Sequence, residues 1–234
     1  MAEAIRGSFR SVTGQELEKR LWPAEGQPKA VVQFVHGMAE HIDRYDAPAK
    51  ALNQASFIVV GHTHLGHGQN AAVKGYFADK DGWDALIEDT NALRRETQAQ
   101  YPDLPYFLLG HSMGSFFARM YAVLYPETLH ALVLSGTGGP NPLAGVGLAL
   151  TEAIGRVKGR KHRSKFLNNM AFGQYLKRVD SPDTPYDWIS RDKEVVARYA
   201  QDAKCTFIFT ASAFHELMAI LRAVNRPQWA QKVD

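Results

Sequence analysis

The stretch YFLLGHSMGSFFARMYAVLYP, Tyr106–Pro126, decides the fold. An apolar run of strand type, Pro105–His111, stops at a glycine, and an amphipathic helical pattern, Met113–Tyr125, begins two residues later. Between them stands one serine in Gly110-His111-Ser112-Met113-Gly114. Glycines on both sides let the chain turn sharply from strand to helix without Cβ clashes, which lifts the serine hydroxyl clear of the backbone.

The same strand form recurs outward from this point. AVVQFVHG (Ala30–Gly37), SFIVVGH (Ser56–His62) and HALVLSG (His130–Gly136) are compact apolar runs ending at glycine or histidine, so four buried strands are predicted. Helical patterns separate them at Tyr45–Gln54 and over 81–102. The second has Asp81 placed as its cap and Trp83, Leu86, Ile87 and Leu93 on one face. Phe9–Leu21 reads as a hairpin around Gly14. Strand alternating with helix predicts an α/β fold, a mostly parallel sheet with helices on both faces.

Regularity breaks after Gly136. Residues 141–210 hold short mixed helical pieces interrupted by Pro182 and Pro185, and a helical pattern returns at Ala211–Val224. Three units follow: a core part over 1–138, an inserted subdomain over 139–212, and a return to the core over 213–234.

Composition narrows the functional classes. The 234 residues are 45% hydrophobic, enough for a sizeable core, and the net charge of +3 gives no argument for nucleic acid. One cysteine, Cys205, forms no internal disulfide, and neither a secretory leader nor an apolar span of membrane length is present; a cytoplasmic protein is expected.

In a sheet of this kind chemistry sits beyond the carboxyl ends of the strands, where Ser112 lies. The helix that follows aims its first amides and positive dipole end at the same point, which suits a developing oxyanion. Met113 N–H is one expected donor. VHGMAEH (Val35–His41) offers the second from the backbone of Met38.

Taken together, HGMAEHIDRY, HLGHGQN, GYF and GHSMGS resemble the monoacylglycerol lipase and lysophospholipase group of serine α/β-hydrolases, in order from about residue 8 onward. The resemblance implies Ser112 as nucleophile, the Met38 and Met113 amides as oxyanion donors, and residues 139–212 as a cap shaping an acyl pocket. It also implies that Glu40 and Arg44 hold the loop or the alcohol part of the ester. Gly37 and His111 complete the expected substrate-binding set. Where the family shows an Asp before its H-x-G-H-G turn this chain has Thr63, which bears on a structural hydrogen bond. The expected partner is a small acyl-ester or lipid substrate, with at most transient contact with a membrane surface and no cofactor.

Serine needs a base and an orienting carboxylate, which in this class follow it in chain order. His130 precedes a strand, His162 lies in the basic run KGRKHRSK, and His215 sits inside a helix, so none is placed to serve. The Asp and His are therefore expected beyond residue 234, with the last strand left as an apolar edge and this chain by itself inactive. A non-catalytic binding module is the alternative if the chain truly ends there.

A metal reading competes. His62, His64 and His67 in GHTHLGHG have an H-x-H-x-x-H spacing that suits zinc, although Gly66 stands where an acidic residue is usual. HLGHG has its own explanation in the family's turn, and no metal is expected. The basic run Lys158, Arg160, Lys161, Arg163 and Lys165 reads first as a solvated face and second as a contact for anionic headgroups. SGTGGP lacks a phosphate-binding lysine and reads as a hinge. Met170, Phe172, Tyr175, Phe207, Phe209 and Phe214 are candidates for acyl lining or for plain core.

Overall fold

The computed structural model describes residues 3–233. Six strands form one sheet: β1 Ile5–Arg10, β2 Glu16–Trp22, β3 Ala30–Val35, β4 Phe57–His62, β5 Tyr106–His111 and β6 Ala131–Ser135, in the spatial order β1-β2-β4-β3-β5-β6. The hairpin β1–β2 turns through Gly14 at φ 86° and runs antiparallel to β4, while β4, β3, β5 and β6 are mutually parallel.

Alternation along β3 explains why every residue of that strand is buried. Val32 and Phe34 face one layer, where Ile42 of the short turn before α1 (Asp46–Gln54) and Ala49 of α1 pack with Trp22 and Val59. Val35 faces the other, against α2 (Gly82–Gln100) and α3 (Met113–Leu124), with Leu86, Ile87, Phe117 and Tyr121. The one polar side chain of β3, Gln33, is fully buried and satisfied. Its amide donates to Thr90 O at 2.9 Å and its carbonyl accepts from the Tyr106 hydroxyl.

Residues 139–212 hold α4 (Ala144–Lys158), α5 (Lys165–Phe172) and α6 (Lys193–Gln201), followed by α7 (Ala211–Val224) and α8 (Pro227–Ala230). Within 139–212 the only β pairing among the described residues is an isolated bridge from Arg163 to Thr210.

Two expectations need correction. β6 is not a buried strand: it pairs only with β5, and Val133 and Leu134 are exposed at 47% and 36%, because no described element covers its outer side. Asp81 occupies the N-cap position of α2 but has φ 55°, and its side chain accepts no capping hydrogen bond. Its left-handed backbone turns the carboxylate away from the first amides. Among the described residues no helix is long and apolar enough to cross a membrane.

Candidate active site

β5 delivers His111, α3 starts at Met113, and Ser112 forms the corner with φ 50° and ψ −119°. A non-glycine residue at positive φ carries strain, held here by Ser112 N–H donating to Ser135 O of β6 at 2.8 Å and Ser112 O accepting from Ser115 N–H at 3.0 Å. The two glycines serve close approach rather than unusual backbone angles. A Cβ on Gly110 would lie 2.6 Å from Gly114 O, and one on Gly114 would lie 2.5 Å from His36 O and overlap Val35 O outright. The corner is thereby wedged against the end of β3.

The turn leaving β3 faces the serine. A Cβ on Gly37 would lie 3.2 Å from Ser112 Cβ and 3.3 Å from His111 Nδ1. Gly37 N–H donates to Glu40 Oε1 at 2.6 Å, and Ala39 N–H donates to His67 Nε2 at 3.2 Å. Met38 N–H has no acceptor among the described residues, and the first-turn amide of Met113 has none within α3. Ala39 itself sits at φ 52°, with its carbonyl accepting from Tyr199 Oη at 2.9 Å.

Glu40, 4% exposed, binds the parts together. Besides Gly37 N–H, its carboxylate accepts from Arg44, from Tyr45 Oη at 2.8 Å and from His111 Nδ1 at 3.1 Å. Burial alone would raise its pKa; the His111 hydrogen bond and the Arg44 charge reverse that and hold it below the usual carboxylate range. The Glu40–Arg44 ion pair expected for the loop is present, and Thr63 still serves as an acceptor, for Ile42 N–H at 3.4 Å.

Four histidines lie beneath this turn in a buried stack. His36 Nδ1 meets Gly37 O at 2.8 Å while its Nε2 accepts from His64 N–H at 3.0 Å. His64 Nε2 meets His36 O at 3.2 Å, leaving Nδ1 to accept from His62 Nε2 at 3.2 Å. His67 Nδ1 meets Leu65 O at 2.9 Å, so Nε2 is the lone pair offered to Ala39. Burial depresses all four, His62 to about 3 and His67 to about 4, so they are neutral rings serving as fixed donors and acceptors.

The zinc reading is corrected by the same bonds. Both ring nitrogens of His64 and of His67, and Nε2 of His62, are taken up by this network; His62 Nδ1 is buried without a partner, and the ligand atoms of the three do not converge. Among the described residues the one set that does, within 4.8 Å, is His41, Asp202 and Cys205. There His41 Nε2 and Asp202 Oδ2 are already hydrogen-bonded at 2.7 Å, and burial pushes the Cys205 thiol up to about 12, away from the thiolate a metal needs.

A cavity of about 1170 Å³ opens over the serine. Gly37, Met38, Glu40, Arg44, His111 and Ser112 all line it, and Met113 lies buried behind. Gly136, Trp188 and Tyr199 also line it, and Tyr45 bonds both Glu40 and His111; sequence reading missed all four. Gly136 at φ 61° had a signal in its glycine-rich hinge, whereas the aromatic residues come from distant chain with no local mark. Of the six acyl-lining candidates Tyr175 alone lines the cavity: Phe209 and Phe214 are core, Phe207 packs on His67, Phe172 stacks on Trp188 and Met170 is exposed.

Among the described residues no histidine or carboxylate hydrogen-bonds Ser112 Oγ. His130 Nδ1 accepts from Tyr106 N–H at 3.1 Å at the far end of β5, and His215 meets Thr151 Oγ1 at 3.1 Å between α4 and α7.

A strand–serine–helix corner at the carboxyl end of a mostly parallel sheet, opposed by a turn from the strand beside it, defines an α/β-hydrolase fold. The chain belongs to the family described as serine aminopeptidase, S33, whose model matches residues 26–233. It is 32% identical over 195 residues to a monoacylglycerol lipase of Mycolicibacterium smegmatis, covering 83% of this chain and 63% of that protein. To a monoglyceride lipase of Mus musculus it is 33% identical over 189 residues, covering 81% and 56% respectively. The crystal structure of a thermostable carboxyl esterase from Bacillus coagulans in complex with glycerol superimposes with a TM-score of 0.90 at 32% identity, covering 100% of this chain and 77% of that one. The chain thus spans somewhat over half the length of these curated relatives.

Proposed function

We propose that Ser112 is the nucleophile of a serine esterase of lipase type, cleaving carboxylic esters of monoacylglycerol or lysophospholipid kind. The observation that carries this reading is the serine held at positive φ on the floor of a large cavity, facing a turn whose Met38 amide is uncommitted. The lipase and esterase relatives support it.

In the proposed reaction Ser112 Oγ attacks the ester carbonyl carbon while a base takes the hydroxyl proton, and the carbonyl electron pair moves onto oxygen. Met38 and Met113 N–H groups stabilise that oxyanion, a contribution of ~3 kcal/mol for each such donor. Collapse expels the alcohol, which receives the proton, and leaves an acyl group on Ser112. Water then attacks the acyl carbon by the same route and releases the acid. The step requires a base and an orienting carboxylate, and among the described residues none is placed against Ser112 Oγ to serve as either. Residues 139–212 act as a cap over the cavity, and Arg44 with Glu40 fixes the loop on which the alcohol part rests.

Fluorophosphonate labelling tests this reading. In the protein carrying the base, Ser112→Ala is expected to abolish both labelling and aryl-ester turnover. Labelling that persists in that variant sinks the assignment. A wild-type protein that never labels, yet binds monoacylglycerol, favours the binding-module alternative.

A further inference from the structure

The turn that carries Met38 is bent at Ala39, whose φ of 52° lies in the left-handed region that a residue with a Cβ seldom adopts. Side chains from two different parts of the chain hold that bend. Ala39 N–H donates to His67 Nε2 at 3.2 Å, from the loop after β4, and Ala39 O accepts from Tyr199 Oη at 2.9 Å, from α6 in the inserted segment.

Residues 199–205 grip the same turn a second time. Asp202, the C-cap of α6, accepts from His41 Nε2–H at 2.7 Å through Oδ2, and its Oδ1 accepts from the Lys204 amide at 2.8 Å. His41 Nδ1 has no hydrogen-bond partner among the described residues, so the bond to Asp202 is the one that anchors the ring. Burial alone would raise the Asp202 pKa; the Lys204 amide and the His41 ring hold it below the usual carboxylate range. The Tyr199 hydroxyl is shared between Ala39 O and Cys205 O, the latter at 3.0 Å, and burial raises its pKa, so it stays protonated and donates. Arg44 lies over the Tyr199 ring at 4.8 Å. Both contacts are closed to solvent, with Tyr199 and His41 buried.

α6 is also a wall of the cavity: Lys193, Val196, Ala197 and Tyr199 line it, whereas His41 and Asp202 do not. We propose that the end of α6 positions the oxyanion turn, Tyr199 acting through Ala39 and Asp202 through His41 to keep the Met38 amide aimed into the cavity. The inference rests on the reading of Ser112 as nucleophile. The peptide plane that holds Met38 N–H is rigid, so its direction changes only by rotation at Gly37 and Met38. Gly37 has no side chain to resist such rotation, which leaves the anchored Ala39 to prevent it. A displacement of about 1 Å in a group of this kind costs on the order of 10²-fold in rate. Because one helix both lines the cavity and holds the turn, a ligand that shifts α6 also shifts the donor.

Selective nitrogen-15 methionine labelling of the 234-residue chain reads the Met38 amide directly, its resonance assigned by loss in Met38→Leu. Tyr199→Phe, which keeps the ring and removes the hydroxyl, should shift or broaden that resonance and leave Met120 and Met218 in place. Asp202→Ala should do the same, and Asp202→Asn, which keeps an acceptor for His41, should recover part of the wild-type position. In the protein carrying the base, Tyr199→Phe and Asp202→Ala should each lower kcat for an aryl ester by roughly tenfold, with KM within about twofold. A Met38 resonance that stays in place in both variants overturns the proposal. So does a raised KM at unchanged kcat in Tyr199→Phe, which would make Tyr199 a substrate contact. Unchanged kcat in both variants while Ser112→Ala is inactive overturns it too and leaves the nucleophile standing. Turnover that survives Ser112→Ala removes the nucleophile reading and this proposal with it. Melting by circular dichroism is the control for folding; should Asp202→Ala fail it, Tyr199→Phe and Asp202→Asn decide alone.

Discussion

The floor of the cavity and the helices beside it are built on opposite terms. On the floor, polar groups are buried and partnered: Glu40 serves four donors, the turn 37–39 is held by His67 on one side and Tyr199 on the other, and Ser112 is pinned to β6. In residues 139–212 the inward positions of α4 are small, and charges and large apolar residues lie outside. The contrast teaches where rigidity is concentrated. A buried hydrogen-bonded cluster tolerates little displacement, because each lost partner leaves a desolvated group behind, whereas exposed charges relax into water.

Gly114→Ala attacks the floor most directly, since the added methyl overlaps the Val35 carbonyl. A loss above about 4 kcal/mol, or failure to fold, is expected by denaturant titration, because backbone on both sides has nowhere to move. A variant that melts like wild type would show the corner to be looser than drawn. Glu40→Leu strands the Gly37 amide and the Arg44 and His111 side chains, and should cost ~3–5 kcal/mol.

Acid acts on the same region. Unfolded imidazoles take up protons near pH 6.5, whereas His67 and His62 in the fold do so only near 4 and 3, both lowered by burial. Their contribution is complete above about 6.5 and is lost as pH falls toward 4, because the unfolded chain binds more protons throughout that window. Asp89, raised by burial to about 6, runs the other way, and its contribution fades as pH rises through that value. With four lowered histidines and the lowered Glu40 and Asp43 against the raised Asp84, Asp89 and Glu216, the denaturation midpoint should drop from neutrality toward about pH 4.5. A flat profile would mean that the stack is hydrated.

A finer comparison uses one side chain. His67→Leu removes the acceptor for Ala39 N–H and should cost ~1–3 kcal/mol, with His67→Gln recovering part of it through its amide oxygen. Equal losses in the two variants would assign the effect to packing against Phe77 and Phe209 instead. Smallest of all, Asp183→Asn breaks the exposed Lys193 pair and should leave the melting temperature unchanged. A clear loss there would erase the distinction between the two regions.

Legibility in the sequence followed the range of the interactions. Strands β3 to β5 were readable because burial on both faces, partial on one face of β5, leaves nearly continuous apolar runs, and Ser112 was readable because its corner needs glycines within two residues. Asp81 misled because capping depends on a backbone angle that composition does not reveal. Tyr45, Tyr199 and Trp188 left no mark, since an aromatic residue looks the same whether it fills a core or lines a cavity. The histidines of GHTHLGHG suggested ligands by spacing, yet their partners His36 and Ala39 come from the turn after β3, which no local pattern names. The outward apolar stripe of α4 escaped notice because periodicity shows that a helix has two faces without showing which one meets its neighbour.

The seat of Gly114 against the end of β3 has a further consequence. Because Gly114 meets the Val35 and His36 carbonyls directly, side-chain replacements elsewhere leave the seat of the corner on β3 untouched. Residues on the surrounding helices can therefore be exchanged, and the lining of the cavity altered, without moving the corner against the strand it sits on.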